Sequence, residues 1–323
     1  MEYTRLGRTG LKVSRLCLGT MNWPWLTPEE EAFRVMDRAL EVGVNFFDTA
    51  NVYGGKKGEG LTERVLGRWF GQGGGRRDKV VLATKVYGNM GDWPNQSRLS
   101  ALHIRRACED SLRRLGTDHI DLYQMHHVDR DAPWDEVWQA MQQLVQAGKV
   151  LYVGSSNFAG WHIAQANEAA RSRHFLGLVC EQTRYSLLCR EPELEVVPAC
   201  LAYGVGLIPW GPLAGGVLAG GASRARAGRR GDGNAAAYYK KHAAQVKAYE
   251  AWCARRRLDP AQVALAWLLH QPAVTAPIIG PRTVGQVDSA LGALKVKLNA
   301  AALKELDSIC PGPGGPAPEA YAW

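Results

Sequence analysis

The stretch VVLATK (80–85) decides the fold of this chain, because it is a short apolar run that ends in a lysine. Charged residues precede it and the turn-forming stretch GNMGDWPN (88–95) follows it, so it predicts a fully buried β-strand. Side chains alternate along a strand, which places Val81, Ala83 and Lys85 on one face. A buried ammonium is costly unless an acid pairs with it or it reaches water.

A second apolar run, VNFFD (44–48), ends in an acid and supplies the best candidate for that partner. The two runs alone leave both alternatives open: Lys85 pairs with Asp48, or Lys85 reaches water at the strand end. The rest of the chain has to decide between them.

The whole chain alternates between strand-like and helix-like stretches. After a short hairpin over 3–13, we expect strands at 14–19, 44–48, 80–85, 119–125, 149–154, 175–182, 204–211 and 274–280, and helices at 28–42, 60–70, 100–115, 134–147, 160–172, 193–203 and, last, about 283 to 293. Parallel strands need crossover helices, so this order predicts a parallel sheet. Eight units that close on themselves make a (β/α)₈ TIM barrel, here expected as a single domain over 1–323.

An open doubly wound α/β sheet is the alternative architecture. It would need a glycine-rich phosphate loop directly after its first strand. The stretch LGTMNW (18–23) occupies that position and lacks the GxGxxG spacing.

Composition narrows the class of protein further. No apolar run approaches the ~20 residues of a membrane span, and the N-terminus has no apolar signal-peptide core. The seven scattered cysteines form no CxxC pair, which indicates reduced thiols in the cytoplasm. The net charge of +8 comes without an aromatic-basic motif, so we expect no nucleic acid and instead an anionic small molecule or a phosphate-rich cofactor.

Two stretches interrupt the alternation of strands and helices. Residues 214–235 are glycine-rich and hold four arginines, which is typical of a solvated loop or of a cationic flap over a phosphate. The C-terminal PGPGGPAPEAYAW (311–323) cannot form a regular element, and it is either a frayed tail or a strap across the barrel mouth.

Reacting groups of barrel enzymes lie where the strands end, and four such groups form a coherent set: Asp48, Tyr53, Lys85 and a histidine, which is His126 or His127. A phenol has a pKa of about 10, and a nearby ammonium lowers it. The set suits protonation of a carbonyl oxygen as it gains negative charge, or the reverse reaction. Because no nucleophile–base pair or metal cluster accompanies it, hydride transfer from a cofactor fits better than hydrolysis, and we expect no metal.

Eight stretches in this order resemble the aldo-keto reductases over essentially the full chain: LGTM (18–21), FFDTANVYG (46–54), LATK (82–85), IDLYQMH (120–126), GKVLYVGSSNF (148–158), EQTRYSLLCRE (181–191), PWGPLAGG (209–216) and IIGPRT (278–283). The resemblance implies a (β/α)₈ barrel with an N-terminal hairpin and long loops at its C-terminal face. It also implies a nicotinamide cofactor, usually NADPH, bound without a Rossmann domain.

By this resemblance, Tyr53 is the general acid, Lys85 lowers its pKa, Asp48 pairs with Lys85, and His126 positions the carbonyl. The cofactor would contact Gly19, Thr20, Met21, Asp48, Ser156, Asn157, Gln182, Trp210, Gly211, Pro212, Leu213, Gly215, Gly216, Arg224, Gly280, Arg282 and Gln286. In this set Ser156, Asn157 and Gln182 would hold the carboxamide. Trp210 would stack on the nicotinamide ring, and Arg282 would bind the 2′-phosphate that distinguishes NADPH from NADH.

The chain departs from the family pattern near the adenine, where many relatives have a glutamate and an asparagine in place of Ser289 and Ala290. The lysine that often follows the glycine-rich turn is also absent, and Arg224 is our candidate for that clamp. Simpler interpretations stay open: Asp48 and Lys85 as a structural ion pair, Trp210 as barrel packing, and Ser156 with Asn157 as a helix cap.

Several aromatic residues are candidates for the wall of the substrate pocket: Trp23, Tyr87, Trp93 and His127, with Met21, Trp25 and the C-terminal strap. Such a wall suits an aldehyde, a ketone or a keto-sugar. Two alternatives to general carbonyl reduction remain. One is a reductase of nucleotide-linked keto-deoxysugars, whose C-termini resemble EAYAW (319–323), and the other is an NADPH-binding regulatory subunit with little turnover. A homo-oligomer is also open.

Overall fold

The structure is a computed structural model that describes residues 1–220 and 233–320. Its strands are β1 (Tyr3–Arg5), β2 (Lys12–Ser14), β3 (Cys17–Gly19), β4 (Phe46–Asp48), β5 (Val81–Val86), β6 (Ile120–Met125), β7 (Val150–Ser156), β8 (Leu178–Gln182), β9 (Gly206–Leu207) and β10 (Ile278–Ile279). Its helices are α1 (Glu29–Glu41), α2 (Leu61–Phe70), α3 (Ala101–Leu115), α4 (Trp134–Gln146), α5 (Gly160–Ser172), α6 (Val196–Tyr203), α7 (Gly233–Lys241), α8 (Ala243–Arg255), α9 (Pro260–Leu269), α10 (Val284–Leu291) and α11 (Ala300–Ile309).

Strands β3 to β10 form one parallel sheet in the order β10-β3-β4-β5-β6-β7-β8-β9. The two ends of this order also meet, because Thr275 N–H donates to the Leu207 carbonyl at 2.8 Å and Ile278 N–H donates to the Pro209 carbonyl at 2.8 Å. The sheet is therefore the predicted (β/α)₈ barrel, and the open doubly wound alternative is wrong.

The N-terminal hairpin covers the end of the barrel where the strands begin. At Gly7, with a φ of +53°, a Cβ would lie 2.5 Å from the Val179 carbonyl oxygen, so only glycine fits this turn. The neighbouring Arg8 donates to the Leu178 carbonyl at 2.9 Å. The predicted strand 14–19 is too long at its start, because Ser14 pairs with Tyr3 inside the hairpin and β3 begins only at Cys17.

The outer helices follow ordinary sequence signals where they were predicted. Helix α3 begins after Ser100, whose hydroxyl accepts from the His103 N–H, and it ends at Gly116 in the left-handed conformation. One face of α1 buries Ala32, Val35, Met36 and Ala39, at the spacing of an amphipathic helix.

The prediction that the helix near 283–293 is the last one is wrong, and the helices between 233 and 269 were not predicted. Helix α11 follows at Ala300–Ile309. Helix α9 buries residues 263–268 without interruption, so its sequence carries no polar stripe that would mark a helix period.

Alternation along β5 matches the predicted strand faces. Ala83 belongs to the core inside the barrel, together with Phe46 and Leu122, whereas Leu82 belongs to the core between barrel and helices. Lys85 shares the inner face of Ala83, which points it into the barrel. All seven cysteines are free thiols. Among the described residues, none of the helices is long and apolar enough to cross a bilayer.

Candidate active site

Lys85 lies at the centre of the C-terminal mouth of the barrel and is fully buried. Its Nζ donates to Asp48 Oδ2 at 2.7 Å, to the Thr49 carbonyl at 2.8 Å and to the Tyr53 hydroxyl at 3.3 Å. An ammonium has three N–H donors, and all three have acceptors here. Lys85 therefore does not reach water at the strand end, and the predicted pairing with Asp48 is present.

Charge balance keeps this lysine protonated. Burial alone would lower the pKa of Lys85, but the Asp48 carboxylate and the Tyr53 hydroxyl outweigh burial, so the pKa is raised. The other carboxylate oxygen of Asp48 accepts from the amides of Gln124 at 3.0 Å and Gln182 at 2.8 Å. The acid is thus fixed from three strands besides its own, and it holds the ammonium against the phenol.

His126 follows β6 and faces the phenol, with ring centroids of His126 and Tyr53 5.9 Å apart. Its backbone N–H donates to the Val86 carbonyl at 2.8 Å, which fixes the start of the loop. Burial lowers the pKa of His126 to about 2, with smaller contributions from Lys85 and His127. The imidazole is therefore neutral at physiological pH, so it can orient a carbonyl oxygen by a hydrogen bond but does not act as an imidazolium acid.

Three further rings continue outward from Tyr53. The rings of His126 and His127 are stacked with centroids 5.3 Å apart, and the ring of Tyr87 meets that of His127 edge-on, also at 5.3 Å. Tyr87 has a φ of +134°, a strained conformation for a bulky residue. The predicted wall residues Tyr87 and His127 thus lie beside the catalytic candidates, and backbone strain is accepted there.

The residues predicted to hold the carboxamide are also together, but their hydrogen bonds are to the protein itself. Asn157, with a φ of +60°, donates from Nδ2 to Ser156 Oγ at 2.9 Å and to the His126 carbonyl at 3.1 Å. Ser156 donates to the Gln182 carbonyl at 2.9 Å. The helix-cap interpretation of Ser156 and Asn157 is wrong, because α5 begins three residues after Asn157 and its N-cap is Ala159.

Trp210 presents an accessible ring at the same mouth. Its Nε1 donates to Asn157 Oδ1 at 3.0 Å, and 38% of the residue is exposed. A tryptophan that served only barrel packing would be covered, so this interpretation does not fit. The ring is anchored at one edge and offers its surface to a flat ligand.

The turn after Trp210 leaves open space beside its backbone. Gly211 and Gly215 have φ values of +66° and +68°, and a Cβ on either would meet nothing within 4 Å. Their conformation needs glycine, and the space beside them is open. The remaining predicted turn residues lie in the same segment: Pro212, Leu213 and Gly216.

On the far side of the mouth, Arg282 precedes α10 and is partly exposed, and its N–H donates to Gln286 Oε1 at 2.7 Å. A cation at a helix N-terminus is a suitable phosphate site. The Gly280 carbonyl accepts from Asn22 Nδ2 at 3.0 Å. Arg224 lies outside the described residues.

Gly19 ends β3 and is followed by Thr20 and Met21, and the sequence predicted one role, cofactor binding, for all three. The structure places them in different surroundings. Thr20 is buried, and its hydroxyl donates to the Asp48 carbonyl at 2.9 Å. At Gly19, a Cβ would lie 2.5 Å from Ile278 Cγ2, so this glycine is required by the neighbouring strand. Met21, by contrast, is 42% exposed and available to a ligand.

Two predicted wall residues, Trp23 and Trp93, do not join the rings of Tyr87 and His127. Trp23 is wrong as a wall residue, because it is fully buried in the core between barrel and helices. Trp93 is 77% exposed, and its N–H donates to Gln96 Oε1 at 3.0 Å. Trp25, also exposed, donates from Nε1 to the Met21 carbonyl at 3.0 Å.

Gln124 and Glu181 are site residues that sequence reasoning missed. Gln124 lies on the inner face of β6, and its amide donates to the same Asp48 oxygen as that of Gln182. The sequence held a signal for it, because Gln124 is a polar residue two positions after Leu122, which lies on the inner face. Glu181 is fully buried, and it accepts from Ser155 Oγ at 2.5 Å and from the Phe158 N–H at 3.1 Å. Burial raises the pKa of Glu181 to about 7. It holds the loop that carries Ser156 and Asn157.

A closed (β/α)₈ barrel with an Asp–Tyr–Lys–His set at its mouth, beside an exposed tryptophan and a glycine turn, defines the class as a barrel oxidoreductase. A sequence model described as the Aldo/keto reductase family matches residues 15–311, and the chain belongs to that family.

Similar proteins extend over nearly the whole chain. The chain is 55% identical to an uncharacterized oxidoreductase, YrpG, of Bacillus subtilis, over 100% of both proteins. It is 32% identical to versiconal hemiacetal acetate reductase of Aspergillus parasiticus, over 95% of this chain and 96% of that one. It is 36% identical to norsolorinic acid reductase of Emericella nidulans, over 94% of this chain and 79% of that one.

Proposed function

We infer that this aldo-keto reductase reduces a carbonyl compound to an alcohol with NADPH, and that Tyr53 is the general acid. The single observation that carries the inference is the position of Lys85, whose fully buried ammonium lies 2.7 Å from Asp48 and 3.3 Å from the Tyr53 hydroxyl. A structural ion pair alone would not need a phenol as the third partner at an open mouth.

The chain's own residues then divide the work of proton transfer. The Tyr53 hydroxyl gives its proton to the carbonyl oxygen as negative charge develops there. The Lys85 ammonium stabilises the phenolate that remains, and Asp48 holds the ammonium in place. Neutral His126 donates a hydrogen bond that orients the same oxygen.

Binding of the nicotinamide cofactor, which supplies the hydride when bound, is assigned to the other half of the mouth. The exposed ring of Trp210 suits the flat nicotinamide, and the open turn 211–216 suits the pyrophosphate. Arg282 at the start of α10 suits the 2′-phosphate, which favours NADPH over NADH. Ser156, Asn157 and Gln182 can reach the carboxamide once they exchange their internal hydrogen bonds.

The proposal places the enzyme in the cytoplasm, because free buried thiols fit a reducing compartment. The names of two relatives as reductases support the direction of the reaction.

Tyr53→Phe tests the acid assignment most directly. We expect kcat for aldehydes to fall by about 10²-fold or more, because the ring stays while the proton donor is lost. NADPH binding, followed by quenching of tryptophan fluorescence, should stay within about twofold of wild type. Tyr152→Phe is the matched control, because this partly buried β7 tyrosine packs on the core inside the barrel and has no predicted role in the site. A Tyr53→Phe variant with near-normal kcat would remove Tyr53 from the mechanism.

A further inference from the structure

A cavity lies beside the candidate active site, between the connection from β8 to α6 and helix α7. Its volume is about 500 Å³. Apolar side chains, among them Leu188 and Pro192, form part of its wall. The charged groups that face it are Arg184, Lys241 and Glu191, and the imidazole of His242 also lines it.

Arg184 is the central cation of this cavity. Its guanidinium carbon lies 4.8 Å from the ring centroid of Tyr238 and 5.9 Å from that of Trp210. No carboxylate lies within ion-pair distance of Arg184 among residues 1–220 and 233–320. Two aromatic rings therefore hold a partly exposed guanidinium whose charge no acid of the described residues neutralises, so it can donate to a bound anion.

The cavity is a built feature, because its two walls are tied together. The Tyr238 hydroxyl donates to the Leu188 carbonyl at 2.6 Å, which joins α7 to the connection after β8. Arg184 pairs with Trp210 as a parallel bridge, and the Trp210 N–H donates to the Thr183 carbonyl at 2.9 Å.

Glu191 is the only acid that faces the cavity among the described residues. The Cys189 thiol donates to the Arg184 carbonyl at 3.6 Å, and burial, together with nearby Glu191, raises the pKa of Cys189 to about 12. Two cations, Arg184 and Lys241, line the cavity together with this single carboxylate, so the cavity is positive overall and suits an anion.

The position of Arg184 links this cavity to the reaction. Gln182 points into the mouth at Asp48, and Arg184 stands two residues further along the same extended segment, so both side chains leave on the same side. Arg184 also borders Trp210, the residue assigned to the nicotinamide ring. A ligand group bound by Arg184 would thus lie two residues of extended chain, about 6.6 Å, beyond Gln182.

We propose that Arg184 and its cavity form an anion subsite that selects carbonyl substrates carrying a carboxylate at the end remote from the carbonyl. A planar guanidinium fixed between two rings matches a carboxylate with two parallel N–H donors, at little cost in side-chain entropy. This inference rests on the proposed carbonyl reduction and adds the substrate class.

Two aldehydes that differ in one group test the subsite: 4-carboxybenzaldehyde and 4-nitrobenzaldehyde. In Arg184→Met, kcat/KM for the carboxylated aldehyde should fall about tenfold or more, and that for the nitro compound should change less than about twofold. Arg184→Lys should keep part of the preference because it keeps the charge. Arg106→Met, which removes an exposed arginine from α3, is the matched control and should leave both values unchanged.

Equal losses for the two aldehydes, or no loss for either, would overturn the subsite while leaving carbonyl reduction intact. An equal loss together with weaker NADPH binding would assign Arg184 to the cofactor and would overturn it as well.

Binding of terephthalate, which has no carbonyl to reduce, separates the subsite from the reaction. Calorimetry should show terephthalate binding to the wild-type NADPH complex and at least about tenfold weaker binding to Arg184→Met. If the wild type reduced neither aldehyde, the proposed function would fail and this titration alone would decide the subsite. Absent binding, or equal binding by the two proteins, would overturn it.

Discussion

The two halves of the barrel mouth are built differently. The proposed proton-transfer half, formed by β4, β5, β6 and β8, is centred on a buried ion pair whose acid is held at both oxygens: Asp48 accepts from Lys85 and from two amides. The proposed cofactor half, formed by β9 and β10 with their following loops, has two-residue strands, glycines with positive φ and a partly exposed Trp210.

The proposed function accounts for this difference. A proton donor needs its neighbours fixed before the reaction, since reorganisation would add to the barrier. A surface that binds a long dinucleotide needs accessible donors and room beside the backbone. Substitutions in the first half should therefore affect kcat, and substitutions in the second half should affect binding.

Lys85→Met should have the largest effect, because it removes the central charge of the proton-transfer half. We expect kcat for carbonyl reduction to fall by about 10²-fold or more, because the phenolate of Tyr53 loses its stabilising cation. Removing one partner of a buried ion pair also costs about 3–5 kcal/mol, so the free energy of unfolding has to be measured alongside by urea denaturation.

The control for Lys85→Met is the double variant with Tyr53→Phe. Residues that act as a unit show strongly non-additive losses, so the double variant should be little worse than the worse single one. Fully additive losses would mean that Lys85 acts independently of Tyr53.

The proton-transfer half was also the more predictable half from sequence. An apolar strand that ends in a lysine or an aspartate can be recognised because burying a charge is costly, and this reasoning found Lys85 and Asp48. It could not place Trp23, because the sequence pattern of an aromatic residue in a loop does not distinguish a pocket wall from the core. Arg184 gave no signal either, since its importance depends on Tyr238, which only the fold brings near.

The helices and strands of the cofactor half were also difficult to predict from sequence periodicity. Helix α9 is apolar on all sides, so no periodicity marks it, and the two-residue strands β9 and β10 are too short for alternation to be visible. Barrel closure there depends on hydrogen bonds such as that from Ile278 to Pro209, which no local pattern encodes.

Arg282→Ala should have an intermediate effect, confined to binding, and thus sharpens the contrast between the halves. Charge-assisted hydrogen bonds to a phosphate are worth about 1.5–3 kcal/mol, so the Kd of NADPH should rise about 10- to 100-fold. The Kd of NADH, which lacks the 2′-phosphate, should change less than about twofold. Arg257→Ala on the outside of the barrel serves as the matched control. Equal losses for both cofactors would remove the assignment of Arg282.

Glu181→Gln should have the smallest effect. It tests the loop of Ser156 and Asn157, which lies between the two halves and is held by Glu181. Burial raises the pKa of Glu181 from 4.5 to about 7. Between these values the folded protein keeps a proton that the unfolded chain has lost. The stability from this proton is present at low pH and is lost as the pH rises through 7.

A glutamine cannot ionise, so the Tm of Glu181→Gln relative to wild type should rise by about a few degrees between about pH 5 and pH 8, measured by calorimetry. His126 acts in the opposite direction, because its pKa is lowered to about 2 and its contribution is lost as the pH falls below 6.5. Glu30→Gln, an exposed change on α1, should give a Tm difference that is flat with pH. A flat difference for Glu181→Gln as well would show that this carboxyl is ionised throughout, and that the loop between the two halves is held by a charge.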